Sequence, residues 1–322
     1  MNRLCIPILA MLATACAAVA ADAQTWPTRP LRLVVPYAAG STADIVPRAV
    51  AEQLARELGQ GVVVENRPGA GGTTGSAVVA RAEPDGHTVL VNSSAHAISP
   101  ALYPRLGYDP VRDFVAVVPL GISPNVLVVP PAAGVRTVGD LVAAARARPG
   151  GLNFSSVGVG TATHMSAERF RAGTGIDAVH VPFKGGAEAM TEVMAGRIDF
   201  FFGPVGLVLP NVREGRLLAL AVNGEARASA LPDVPTLREA GIADAEYPIW
   251  FGFFVPARTP APVVEALHRA TVRALNEPKV RERLGLLGID PMPLTVAGFG
   301  RLMADEVAIN ARLVAAVGVA AQ

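Results

Sequence analysis

Short apolar runs alternate along this chain with longer segments whose apolar residues recur at helical spacing. The first unit sets the pattern. Val34 and Val35 favour a buried strand, and Pro36 ends it because proline has no N–H to give a ladder. Tyr37-Ala38-Ala39-Gly40 makes a small-residue loop. Thr42 to Leu58 then places Ile45, Val46, Val50, Leu54 and Leu58 close to helical spacing, until Gly59 stops it. Ser41 with Asp44 three residues on forms a loose capping box. A helix starting there aims free N–H groups and about half a positive charge at the loop, a place to hold an anion. The same stretch also reads as a well-capped turn that any α/β protein contains.

The alternation continues. Val62-Val63-Val64 predicts a strand and Glu65 to Gly72 a loop, followed by a helix through Arg81 and a strand from Thr88 to Val91. Strands are predicted again at Ala116–Leu120, Asn125–Val129, Asn153–Val157, Ala178–Val181, Ile198–Phe202, Leu217–Val222 and Trp250–Val255. Helices are predicted over Thr137–Arg148, from His164, over Ala187–Ala195, and then over Pro262–Leu275, Lys279–Leu287 and Ala297–Val317. This order signals an α/β fold with a largely parallel sheet covered on both faces. Late helices after a strand suggest that the chain returns to its first domain. The expected division is 24–124 and 248–322 for that domain and 125–247 for the second, with crossings near Pro124–Val129 and Pro248–Phe254 that form a hinge.

A length of 322 residues, 51% hydrophobic, is ample for two cores. The formal charge of +1 and the lack of a basic block interleaved with aromatics argue against nucleic acid as a partner. Residues 1–23 resemble an export signal. Arg3 precedes an apolar run from Leu4 to Ala15, and Ala21-Asp22-Ala23 is an A-x-A site before Gln24. Cleavage after Ala23 would remove both cysteines, Cys5 and Cys16, leaving the mature chain no disulfide. The alternative reading of Leu12 to Cys16 is a lipoprotein signal with lipidated Cys16.

The five histidines have no metal-ligand spacing, and Gly69-Ala70-Gly71 lacks the third glycine of a dinucleotide loop. Lys184 lies in no phosphate-binding loop, and no Gly-x-Ser-x-Gly elbow occurs. No cofactor or metal is expected. What remains is four small, polar loops at strand ends: Tyr37–Ser41, Ser93-Ser94, Val159–Thr163 and Phe183–Gly186. In open α/β sheets ligands sit beyond the carboxyl ends of the strands. Lys184 is the one cation of these loops and Asp44 the nearest carboxylate; Gly185 adds a further backbone donor. His164 reads as a donor at the cleft rim or, equally well, as a capping or core histidine.

Several strings carry a family resemblance: Val34-Val35-Pro36-Tyr37-Ala38-Ala39-Gly40-Ser41, Val64-Glu65-Asn66-Arg67-Pro68-Gly69-Ala70-Gly71-Gly72, Val181-Pro182-Phe183-Lys184-Gly185 and Pro232-Asp233-Val234-Pro235-Thr236. With them the chain, from Trp26 nearly to its end, resembles the Bug (TctC-type) family, the periplasmic solute receptors of tripartite tricarboxylate transport systems. The resemblance implies a two-domain periplasmic-binding-protein (Venus flytrap) fold and no catalysis. It implies a small organic acid as ligand and membrane permease subunits as partners of a monomeric periplasmic receptor. By the same resemblance Tyr37, Ala38, Gly40, Ser41, Gly160, Thr161, Ala162 and His164 inherit the grip on a carboxylate. The chain departs from the family pattern at Ser41, where a second glycine is usual, and at Gly203, where an aspartate is frequent. A receptor feeding a sensor, or an enzyme using the same cleft, are the competing readings.

Overall fold

The computed structural model describes residues 26–243 and 245–317; the expected export signal, with Cys5, Cys16 and the site after Ala23, lies outside them. The elements begin with β1 (Leu31–Val35), α1 (Thr42–Leu58), β2 (Val62–Asn66), α2 (Thr73–Ala80), β3 (Thr88–Ser93), α3 (Ala95–Leu102) and β4 (Phe114–Ser123). Next come β5 (Asn125–Val129), α4 (Val138–Ala147), β6 (Leu152–Ser156), α5 (Ala162–Thr174), β7 (Ala178–Pro182), α6 (Gly186–Met194), β8 (Phe200–Pro204), α7 (Val205–Arg213) and β9 (Leu218–Val222). The chain ends with β10 (Ile249–Pro256), α8 (Ala261–Asn276), α9 (Pro278–Leu286) and α10 (Val296–Val317).

Two five-stranded sheets result, in the orders β2-β1-β3-β10-β4 and β7-β6-β8-β5-β9. The central strands of each are buried on both faces, and their successive residues serve opposite cores. Leu31, Leu33 and Val35 join one cluster while Val34 joins another. In the second sheet Phe200 and Phe202 face one side and Phe201 the other. Covering both faces is why these strands read as continuous apolar runs. Each of the three fully buried phenylalanines contributes about 1.5–3 kcal/mol of burial.

Both sheets are mixed, which the alternation of strands and helices does not report. β1 pairs parallel with β2 and β3, and β6 with β7 and β8. β5 and β10 run antiparallel to both of their neighbours. The cause is where the chain enters. Only Pro124 separates β5 from the end of β4 in the other sheet, and β10 returns after β9. A strand entered from the crossing starts where its neighbours finish, so it must run against them.

A buried polar knot ties the crossings together. The Asn125 N–H donates to Asn223 Oδ1 at 2.7 Å, and the Asn223 N–H to the Asn125 carbonyl at 2.9 Å. Both side-chain amides donate to Ser166 Oγ on α5, at 2.9 and 2.8 Å, and Asn223 also reaches the Tyr247 carbonyl at 2.7 Å. The Ser166 hydroxyl in turn donates to the Ala162 carbonyl. Buried polar groups need such partners, and here they fix both chain passages against one helix. Among the described residues no helix is long and apolar enough to cross a membrane.

Candidate functional site

The first loop leaves β1 at Pro36 and enters α1 at Ser41. Ala38, Ala39 and Gly40 are exposed, while the loop is held from below. Asp44, 2% exposed, accepts from the Gly40 N–H at 2.9 Å, from Arg48 Nε at 2.9 Å and from Asn66 Nδ2 at 2.8 Å. Burial opposes its ionisation, but the bonds from Arg48, Gly40 and Asn66 prevail and hold its carboxyl below the usual value. Asp44 is therefore a support of the loop and is not turned outward as a ligand contact. The capping box is not formed: Ser41 gives α1 no side-chain cap, and Asp44 reaches back past it to Gly40. Ser41 Oγ is buried without a partner.

Tyr37 anchors the other side. Its hydroxyl donates to Asn92 Oδ1 at 2.9 Å and lies 3.4 Å from Ser93 Oγ, and burial pushes it up to about 12. Gly72, at a φ of 95°, lets its loop lie on the Tyr37 ring: a Cβ there would stand 3.1 Å from the hydroxyl. Ser94, one residue on from Ser93, donates its N–H to the Trp250 carbonyl, and its side chain is buried.

The second loop joins β6 to α5, and several of its polar groups are satisfied within it. The Gly158 N–H donates to Ser156 Oγ, the Val157 N–H to Thr163 Oγ1, and the Thr161 hydroxyl to the Gly158 carbonyl. The Gly160 N–H, expected to face a ligand, donates instead to His164 Nδ1 at 3.1 Å. His164 therefore accepts on Nδ1 and presents Nε2 to Glu168, 3.5 Å away. It is 3% exposed, the placement that the capping or core reading expects. Burial works against Glu168 ionising, yet His164 and Arg171 hold it below the carboxylate range. The His180 ring stacks on His164 with centroids 4.0 Å apart and bonds Ser156 Oγ; burial, then the nearby His164 and Arg171, lower it to about 4.

α3 joins the two loops. It starts beside Ser93, whose hydroxyl lies against Tyr37, and its last residue, Leu102, is pressed on Gly160 so closely that a Cβ there would collide. Around this contact Ile98, Leu102, Met165, Tyr247 and Val314 form an apolar cluster where α3, α5 and α10 meet. Leu102, Asn66, Asn92 and Glu168 are the residues that sequence reasoning does not single out. Of these only Asn66 lies in one of the family strings.

Ala162 opens α5 beside this cluster, behind its cap Thr161. Lys184 is exposed, and its N–H reaches Glu188 at 3.3 Å; Gly185 caps α6 without a side chain. Gly203 lies buried in β8 opposite Val126, and a Cβ there would come within 2.6 Å of Val208 and the Phe201 ring. An aspartate there would require Val208 and Phe201 to move. His96 sits in an aromatic nest of Tyr108, Phe114 and Phe254, with both ring nitrogens lacking partners, and burial lowers it to about 3. Among the described residues no three His, Cys, Asp or Glu gather as metal ligands.

The geometry is that of two helix N-termini flanking a junction between two sheets, one loop open and one closed on itself. The family profile described as tripartite tricarboxylate transporter family receptor (TctC) matches residues 46–319. BugT of Bordetella pertussis is 33% identical over 309 residues, spanning 95% of each chain. A Rhodopseudomonas palustris protein solved with adipate superposes with a TM-score of 0.79 at 30% identity, covering 92% of this chain and 100% of that one. MatC of the same organism, solved with bound malate, gives 0.76 at 32% identity over 90% and 100%. With a profile match over most of its length and such relatives, this chain belongs to the TctC family of tripartite tricarboxylate transporter receptors.

Proposed function

We propose that this protein, exported and freed of residues 1–23, closes on a small organic acid in the periplasm and presents it unchanged to a membrane permease. The observation that carries this reading is the first loop. Its cap residue offers α1 no side-chain bond and keeps a buried hydroxyl without a partner, so the first N–H groups of the helix are left for an outside acceptor. A carboxylate supplies that acceptor and sits favourably on the helix dipole, and charge-assisted bonds are about twice as strong as neutral ones. Adipate and malate, the ligands of the two related structures, are dicarboxylates. The second carboxylate then falls to the α5 side, where Thr161 and Ala162 open the helix. Two crossings carry the chain between the halves as a hinge would, and the ligand favours the state in which both sides reach it.

The test is mass spectrometry of the small molecule that copurifies with the native protein, followed by calorimetry with that acid, malate, adipate and their diamides. We expect an acid to be recovered intact and the diamides not to bind. Recovery of a chemically altered acid, or diamides binding as well as acids, would sink the reading.

A further inference from the structure

A cavity of about 650 Å³ lies at the crossings, and no residue of the four loops lines it. Its walls come from both sheets' territory: Ile122, Trp250 and α10 on one side, Arg169 and the 224–229 stretch on the other. Met292, Leu294, Leu302 and Ile309 make it largely apolar. Its charges are unbalanced. Glu225, Glu246, Asp290, Asp305 and Glu306 face Arg169, Arg227 and Arg238. Two of those guanidinium groups are already engaged, Arg227 with Glu239 at 2.9 Å and Arg238 with Glu246 at 2.8 Å. Glu306, on the cavity wall, accepts from Trp250 Nε1 at 2.8 Å. Burial pushes its carboxyl up to about 7 despite the Trp250 bond and the nearby Arg169.

We propose that this cavity is a second ligand site, specific for an organic cation: a primary amine whose ammonium meets Glu306 and whose aliphatic or aromatic body lies against Met292, Leu294 and Ile309. The volume is that of a small-molecule pocket, and apolar walls beside the buried Glu306 carboxylate fit such a ligand. Because walls from both sides of the crossings enclose it, a bound amine has different contacts in the open and closed states and biases the hinge.

Trp26 and Trp250 are the two tryptophans, so in a Trp26→Phe protein the emission reports on the cavity. At about pH 8, where Glu306 is ionised and the probe charged, hexylamine should shift that emission saturably while hexanol and hexanoate do not. Glu306→Gln keeps an acceptor for Trp250 and should weaken hexylamine by about tenfold or more, the loss of one charged bond. If that variant does not fold, Ile309→Phe, which fills the cavity, should abolish the response. Equal responses to hexanol and hexylamine, no saturation, or a hexylamine response that survives in the folded variants overturns the proposal.

Discussion

The two loops have the same ground plan, a strand, a small-residue turn containing a left-handed glycine and a helix, yet they are finished differently. Gly40, at a φ of 82°, has nothing within 4 Å of where a Cβ would stand, and Ser41 leaves its helix uncapped. Gly160, at a φ of 75°, is wedged against Leu102, and its loop uses its own hydroxyls and His164 to satisfy its N–H groups. Both glycine N–H groups are taken by the residue four further on, Asp44 and His164, but only the first loop has open space at its glycine and a cap hydroxyl without a partner. The second is a fixed wall whose shape is set by Glu168, His164 and α3. On the proposed reading the two sides of the cleft divide the work, one adapting to the ligand and one holding position.

The sharpest way to break this comparison is Gly160→Pro. Proline fixes φ near −65° and removes the N–H given to His164, so we expect about 3 kcal/mol or more of stability to be lost, with carboxylate binding abolished. Urea unfolding and calorimetry measure both; intact binding in this variant would mean that the second loop is no wall. Acid distinguishes the two sides next. His96 is neutral in the fold at pH values where the unfolded chain, near 6.5, takes up a proton. Stability should be full above pH 6.5 and fall by about 1.4 kcal/mol per pH unit toward 3, about 2 kcal/mol by pH 5. His96→Phe should flatten that slope in unfolding measured against pH. His180, beneath the second loop, acts in the same direction down to about 4, but it is partly exposed and should contribute less.

Asp44→Asn loosens the first loop without touching the second. Weakening the charged bonds to Arg48 and Gly40 should cost about 1.5 kcal/mol in unfolding experiments and blur ligand affinity while leaving the fold's spectrum unchanged. The smallest effect belongs to Ser41→Gly, about 0.3 kcal/mol, because the backbone N–H stays and the hydroxyl caps nothing. Lys184→Ala should be equally mild in calorimetry. If it abolished binding while Ser41→Gly and Asp44→Asn left it intact, the ligand would be held by a side-chain ion pair and not by the open loop.

The extent of α1 can be read from its spacing and Gly59, and β5 from an apolar run bounded by Pro124 and Pro130. The capping box of α4 is formed, with Asp140 N–H on Thr137 and Thr137 N–H on Asp140. The like string at Ser41 is not, because Asn66, brought in by β2, and Arg48, one turn further along α1, capture Asp44. Local sequence carries no trace of the contact from Asn66. α7 stays hidden because Pro204, Gly206 and Pro210 punctuate a segment that tertiary packing makes helical. The destination of the Gly160 N–H is illegible for a simpler reason: His164 is visible as a residue, but its ring orientation depends on Glu168 one turn further on.

The placing of β10 between β3 and β4 has a consequence for the order of assembly. As the chain is made, β1 to β3 can pair at once, but β4 emerges with its slot neighbour still unsynthesised. The apolar strand Phe114–Ser123 must wait, edge open, while the whole second sheet is produced and can close on itself. Only when Ile249–Pro256 arrives is the gap filled from both sides, by contacts far apart in sequence. Such late, non-local insertion is slow and exposes a sticky edge in the meantime. The sheet that starts first should therefore be the last to finish.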